Sequence, residues 1–323
     1  MNNSTAKQGQ AAISHLSENI YQQLSPSFYL CLVIIEVILA TATTVGNCLL
    51  LFAICRDPLR CLRNPTVYLI ANLAVADLLV GFFVGYCRAM EMFLLYRGQQ
   101  TPLSLNTVQY IIAGSAMFAA VYSIIAMSWD RFVAVSDPTN YRTKVTVKRV
   151  KICLLAVWPT ALCFAVLPAA GVRKLDFLVA YCYSHFVLPA IILTLVYIVI
   201  FKRLSKKLQA LDQVVHPQTT DSNNRKTLYR ERKLAATILL VLLTFYVCFA
   251  PYFVKVHLWL LCDCQKSTPF LITHFITNDV LLLSSLLDPI IYGWRLERFR
   301  KTFRMVIGSK RNPPIVLPSS SAN

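Results

Sequence analysis

Charged residues are scarce in the apolar stretches of this 323-residue chain, and the few present stand where their chemistry can be read. Asp130-Arg131 meets the end of an uncharged run from Leu103 to Trp129, where a basic segment begins. A charge in the middle of a membrane span costs about 2.5–3.5 kcal/mol on insertion scales, whereas one at the interface is tolerated and can pair with a second helix. Asp77 lies about eleven residues inside another apolar stretch, hence roughly 16 Å from its start at helical rise and close to a bilayer midplane. An acid at that depth pairs, binds a cation or relays protons, and Asn47, Ser284, Ser285 and Asp288 are oxygen-bearing candidates to surround it. The alternative is a protonated, hydrogen-bonded structural carboxyl.

The elements that must position these groups are membrane spans. With 56% apolar and 15% charged residues and a mean hydropathy of +0.55, the chain does not read as a water-soluble globule. Seven stretches approach or exceed the 20 or so residues a bilayer requires: Phe28 to Cys55, Thr66 to Phe93, Leu103 to Val135, Ile152 to Val172, Phe177 to Phe201, Leu234 to Leu261 and Pro269 to Trp294. The first carries one charge, Glu36, and follows a polar segment with no basic n-region, so it reads as a retained helix and not a cleaved signal. The expected fold class is all-α: residues 1–27 an extracellular tail, 28–294 a seven-helix transmembrane bundle, 295–312 an amphipathic eighth helix and 313–323 a disordered cytoplasmic tail.

The formal charge of +17 would suit nucleic acid, but its distribution points to a lipid bilayer instead. Of the 32 Lys and Arg, 25 lie in Arg56 to Arg63, Arg131 to Lys151, Lys202 to Lys233 and Arg295 to Arg311, alternate connections that become cytoplasmic by the positive-inside rule. Seven spans then place the amino terminus outside, where Asn2 and Asn3 head two overlapping glycosylation sequons, and the carboxyl terminus inside. Phe201, Leu204, Leu208, Leu211 and Val215 repeat at helical spacing, so span 5 should continue past the lipid until His216-Pro217, with Gln218 to Asn224 a linker. Beyond span 7, Leu296, Phe299, Phe303, Val306 and Ile307 alternate with Arg298, Arg300, Lys301 and Arg304 as in a helix lying on an anionic leaflet.

Span 3 ends and span 6 begins on the same cytoplasmic face, so Glu231 comes opposite Arg131. A bridge between them would hold two helix ends together, and its loss would open a cavity; two solvated interfacial charges are the plain alternative. Pro251 in span 6, Pro289 in span 7 and Pro189 in span 5 each remove a backbone hydrogen bond and can kink their helices.

Gly46-Asn47, Leu73 to Asp77, Asp130-Arg131-Phe132, Trp158, Pro189 with Tyr197, Cys248-Phe249-Ala250-Pro251 and Asp288-Pro289-Ile290-Ile291-Tyr292 fall in successive spans. In this order they resemble a rhodopsin-like (class A) G protein-coupled receptor. The resemblance implies that Asp130, Arg131 and Glu231 form the G protein-coupling lock and that Phe249, Pro251, Tyr197, Asp288, Pro289 and Tyr292 are activation switches. It also implies an allosteric sodium ion, with no other cofactor, at Asn47, Asp77, Ser284, Ser285 and Asp288, although Ala120 lacks a hydroxyl usual there. The implied partners are a heterotrimeric G protein, arrestin, a receptor kinase and an extracellular peptide, lipid or small-molecule ligand, with the protein in the plasma membrane and no enzyme activity.

Within that family, the absence of a cysteine at the outer start of span 3, a short second outer loop and Asp-Pro in span 7 are similar to melanocortin receptors. Glu36 and the pattern of spans 1 and 2 are similar to adenosine receptors, but Val256 and Leu282 replace a nucleoside-binding pair. Ala113 disfavours amine ligands, and no lysine in span 7 could form a retinal Schiff base. By helical phase and family position, Met117, Phe118, Tyr181, His185, Phe249, Tyr252, Phe253, His274 and Asn278 should line an aromatic, mostly neutral pocket with Arg88 and Glu91 near its rim. Cys262 sits in an oxidising outer loop and could bridge to Cys264 or to Cys31, Cys87 or Cys182. The rival function is an ion or proton transporter or channel using Asp77 and Asp288, which would need charge movement without a G protein.

Overall fold

A computed structural model describes residues 24–57, 62, 64–212, 219–262 and 267–307, and all regular structure among them is helical. Helix α1 spans Pro26–Arg56; α2 comprises Pro65–Leu79, a π-helical turn Val80–Gly85 and Tyr86–Tyr96; α3 spans Leu103–Ser136 and α4 Val147–Ala165. Helix α5 comprises Lys174–Cys182, a second π turn Tyr183–Val187 and Leu188–Asp212; α6 spans Thr219–Leu261, α7 Thr268–Arg295 and α8 Glu297–Ile307. A single helical turn, Tyr141–Lys144, lies between α3 and α4.

Several helices start where a side chain can satisfy an orphan backbone N–H. Ser25, Asn64 and Ser267 accept from the amides of Phe28, Val67 and Phe270 at 3.3, 3.1 and 3.4 Å, each with a proline early in the first turn. Among the described residues, six helices are long and apolar enough to cross a membrane. The seventh, α4, has 19 residues and opens with Lys148, Arg149 and Lys151. It corrects the expected span of Ile152 to Val172: Thr146 caps the helix by accepting from Arg149 N at 3.3 Å, so it starts early, and it gives way after Ala165 to turns containing Pro168 and a positive-φ Gly171. The expected linker is also corrected from Thr219 onward, since no glycine or proline interrupts the chain between Pro217 and Pro251 and α6 continues through it. Val215 and His216-Pro217 lie outside the described residues, as do Asn2, Asn3 and the tail from residue 308.

Ile38, Leu155, Val247 and Trp294 face outward, as lipid-facing residues do, while small residues let the helices close on one another. A Cβ on Gly85 would come within 2.7 Å of the Ala40 Cβ, and one on Gly81 within 2.9 Å of Thr43, so these two glycines set the approach of α2 to α1. Both lie in the π turn, whose extra residue rotates the Tyr86–Tyr96 half of α2 by about 100° relative to an uninterrupted helix. Polar contacts complete the packing. Asn72 Nδ2 donates to Ser123 Oγ at 2.8 Å and Trp158 Nε1 donates to Asn72 Oδ1 at 2.9 Å, tying α2, α3 and α4 together.

Candidate functional site

At the end of the bundle where α3 finishes and α6 begins, Arg131 is buried to 3% exposure on α3 and bonds to four partners. Its Nε and Nη2 donate to Asp130 Oδ2 at 3.0 and 2.7 Å, Nη2 also reaches Thr66 Oγ1 and the Tyr141 hydroxyl at 3.1 and 3.2 Å, and Nη1 donates to Glu231 of α6. Thr66 and Tyr141 in turn donate to the two Asp130 oxygens, each at 2.7 Å. Burial and the Asp130 carboxylate hold the Tyr141 phenol above its ordinary pKa, so it remains a donor at neutral pH. Among the described residues, the arginine is thus held laterally by α2, α3 and the loop, and across the bundle by Glu231 alone, whose side chain is 34% exposed. An interhelical pair with one well-solvated member can separate at a lower desolvation cost than a fully buried one.

One layer further in, the Tyr197 and Ser128 hydroxyls are 3.3 Å apart and the Tyr292 hydroxyl donates to Met127 Sδ at 3.8 Å. Both tyrosines are buried. Above them Asp77 and Asp288 approach each other, with Ser285 alongside. Asn47 donates to the carbonyls of Thr43 and Ser285 at 3.1 and 3.0 Å, whereas its Oδ1 and Asp77 Oδ2 are buried without a hydrogen-bond partner among the described residues. Two orphaned oxygens beside a second carboxylate fit a hard monovalent cation or a proton. Ser284 bonds back to the Leu281 carbonyl at 2.8 Å but, like Ser285, borders a large cavity.

That cavity, about 640 Å³, lies between α2, α3, α5, α6 and α7. Met117, Tyr181, Phe249, Tyr252, His274 and Asn278 line it. Phe118, His185 and Phe253 do not, which corrects their expected placement. His185 sits in the π turn of α5, where the helical phase shifts, and stacks behind Tyr181 at 4.7 Å between ring centroids, with Phe118 beyond it at 4.8 Å. Phe253 packs outside against His257 at 4.1 Å. Phe249 forms the floor against Phe245, Phe186 and Tyr252, with centroids 5.6, 4.8 and 5.4 Å away.

The cavity also contains groups that the sequence reading missed or undervalued. Lys255, three residues after Tyr252 and four before Trp259 on the same α6 face, is buried with its Nζ 4.0 Å from the Tyr252 ring centroid and 3.4 Å from Asn278 Oδ1. That spacing was a usable signal. Arg88 is a wall residue whose Nε donates to Glu36 Oε1 of α1 at 2.5 Å and whose Nη2 donates to Asp279 Oδ1 of α7 at 3.0 Å. Thr66 and Tyr141 beside Arg131 had no distinctive sequence signal. Cys262 is disulfide-bonded; Cys31, Cys87 and Cys182 are free thiols and are thereby removed as its partners.

A helical bundle that crosses the membrane, with a ligand-sized cavity at one end and a tethered arginine at the other, has the architecture of a seven-helix membrane receptor. The family model described as 7 transmembrane receptor (rhodopsin family) matches residues 46–178 and 170–292, and the chain belongs to that family. It is 27% identical to the Allatostatin-A receptor of Bombyx mori, over 81% of this chain and 75% of that protein. It is 23% identical to the Adenosine receptor A2a of Cavia porcellus, over 88% of this chain and 74% of that protein. The fold is similar to the crystal structure of squid rhodopsin, with a TM-score of 0.77 at 18% identity, covering 88% of this chain and 87% of the other.

Proposed function

We propose that the protein binds an extracellular ligand in the cavity of the bundle and catalyses nucleotide exchange on a heterotrimeric G protein at the face floored by Arg131. The observation that carries this reading is that α3 and α6 each contribute to both ends. Met117 and Tyr252 line the cavity, and Arg131 pairs with Glu231 at the opposite end. A ligand that binds more tightly when the inner ends are apart shifts the population toward that state, and a G protein binding the same state raises ligand affinity by the same factor. Tyr197, Phe249, Pro251, Asp288, Pro289 and Tyr292 lie on the helices between the two ends and are the proposed switches. The Asn47, Asp77, Ser285 and Asp288 cluster is the proposed cation site. The amino terminus is extracellular in this reading and the carboxyl terminus faces the plasma membrane's inner leaflet, as the Lys and Arg distribution favours.

Similarity to receptors named for allatostatin-A and for adenosine supports including those two molecules among candidate ligands. The missing span-3 cysteine and Asp288-Pro289 support melanocortin-like peptides as another group. The test is a panel of these peptides, nucleosides and lipids applied to cells expressing the full chain, with G protein dissociation as readout. Dissociation driven by at least one class, and lost when the cavity is filled by Ala113→Trp, is expected. Currents or proton flux abolished by Asp77→Asn, without G protein dissociation, would overturn the proposal in favour of a transporter or channel.

A further inference from the structure

Arg88 is held from behind. Its two partner carboxylates, Glu36 on α1 and Asp279 on α7, are not among the residues lining the cavity, whereas Arg88 is. Nε and one Nη2 hydrogen are committed to those acids, and Nη1 makes no hydrogen bond among the described residues. At 7% exposure the side chain is fixed between three helices, and the guanidinium has donors but no acceptor. The ordering entropy of a long side chain has therefore already been met before anything binds.

Resting on the reading of this cavity as the ligand site, we propose that Arg88 is its ligand-orienting donor and that it takes an uncharged acceptor, a carbonyl oxygen of the amide type. Charge selects against the other acceptors. The guanidinium's single positive charge already faces the carboxyl groups of Glu36 and Asp279, so a ligand carboxylate would be a third acid on one guanidinium. An ammonium group could find no acceptor on the guanidinium itself. A carbonyl oxygen accepts the hydrogen bond without adding charge, and the aromatic wall of Tyr110, Tyr181, Tyr252 and Trp259 suits an apolar group beside it. Glu91, Lys255, Asp77 and Asp288 are the other charged groups on the cavity wall.

The experiment uses the full chain in nanodiscs and three probes, N-acetyl-phenylalanine amide, N-acetyl-phenylalanine and phenethylamine, with dissociation constants from saturation-transfer NMR corrected for empty nanodiscs. The amide should bind at least about 10-fold more tightly than either charged probe, as expected for one charge-assisted hydrogen bond. Because Arg88→Gln alone would leave two buried carboxylates unpaired, the decisive variant is the neutral triple Glu36→Gln, Arg88→Gln, Asp279→Asn, with Arg88→Lys as a second. Amide binding should weaken at least about 10-fold in the triple variant, checked for folding by thermal melting. A preference for the carboxylate or ammonium probe, unchanged amide binding in the triple variant, or no amide binding to the wild type would overturn the proposal. The variant Ala113→Trp separates the two readings. Amide binding that survives the triple variant but is lost on filling the cavity refutes the role of Arg88 alone, and binding that survives both refutes the cavity as the site.

Discussion

Replacing Glu231 by Gln removes the charge that holds α6 to Arg131 and leaves the arginine's other contacts in place. A fully buried pair broken at one partner costs about 3–5 kcal/mol, and an exposed pair about 0–1 kcal/mol. Glu231 lies toward the exposed end, with a third of its side chain in solvent, and Arg131 keeps Asp130, Thr66 and Tyr141. The loss to the closed state is therefore about 1–1.5 kcal/mol, which changes the equilibrium about 5- to 13-fold. If the open state occupies about 1% of the wild type, it should occupy roughly 5–11% of the variant. Basal nucleotide exchange by purified heterotrimer on receptor nanodiscs, without ligand, should rise in that proportion. Thr66→Val is the contrast: it removes a donor to Asp130 but no contact with α6, so it should lower thermal stability without raising basal exchange. A well-folded Glu231→Gln protein with wild-type basal exchange would refute the reasoning, because the bridge would then do nothing to the balance between the states.

Asp77→Asn should abolish any sodium dependence of agonist affinity, since it removes the carboxylate that carries a buried, unpartnered oxygen; a wild type insensitive to sodium against potassium would count against a cation there. Gly85→Ala should lower the melting temperature in detergent, with about 1–3 kcal/mol of overpacking expected where the new methyl meets Ala40 at 2.7 Å, and an unchanged melting temperature would show that α1 can move aside. In the loop after α3, hydrogen bonds from Lys144 and Asn140 lower the Asp137 carboxyl to a pKa of about 2. Its contribution to folding is present above the unfolded pKa of about 4 and is lost as pH falls through about 2, so in an NMR titration carried down to about pH 3 Asp137 should stay mostly ionised where an ordinary carboxyl is mostly protonated.

Hydropathy is a local property, and a bilayer makes it decisive because every spanning backbone must satisfy its own hydrogen bonds within a helix. The all-helical architecture and most spans were therefore legible in the sequence, as was the opposition of Arg131 and Glu231, which needs only the direction of two helices. Helix ends were less legible: Thr146 moved the start of α4 earlier, and α6 ran through a polar segment that composition alone marked as a linker.

Which side chains meet was decided by tertiary structure. An inserted residue in a π turn leaves composition unchanged but shifts the helical phase of the residues beyond it, which is how His185 came to stand behind Tyr181. The sequence alone supplied Glu36, Arg88 and Asp279 as three separate ionisable residues on three helices. Only packing, with Gly81 and Gly85 bringing α2 against α1, made them one buried ion triad with its guanidinium on the cavity wall. A charge in an apolar environment must find its partner, and that partner can be 191 positions away in the chain.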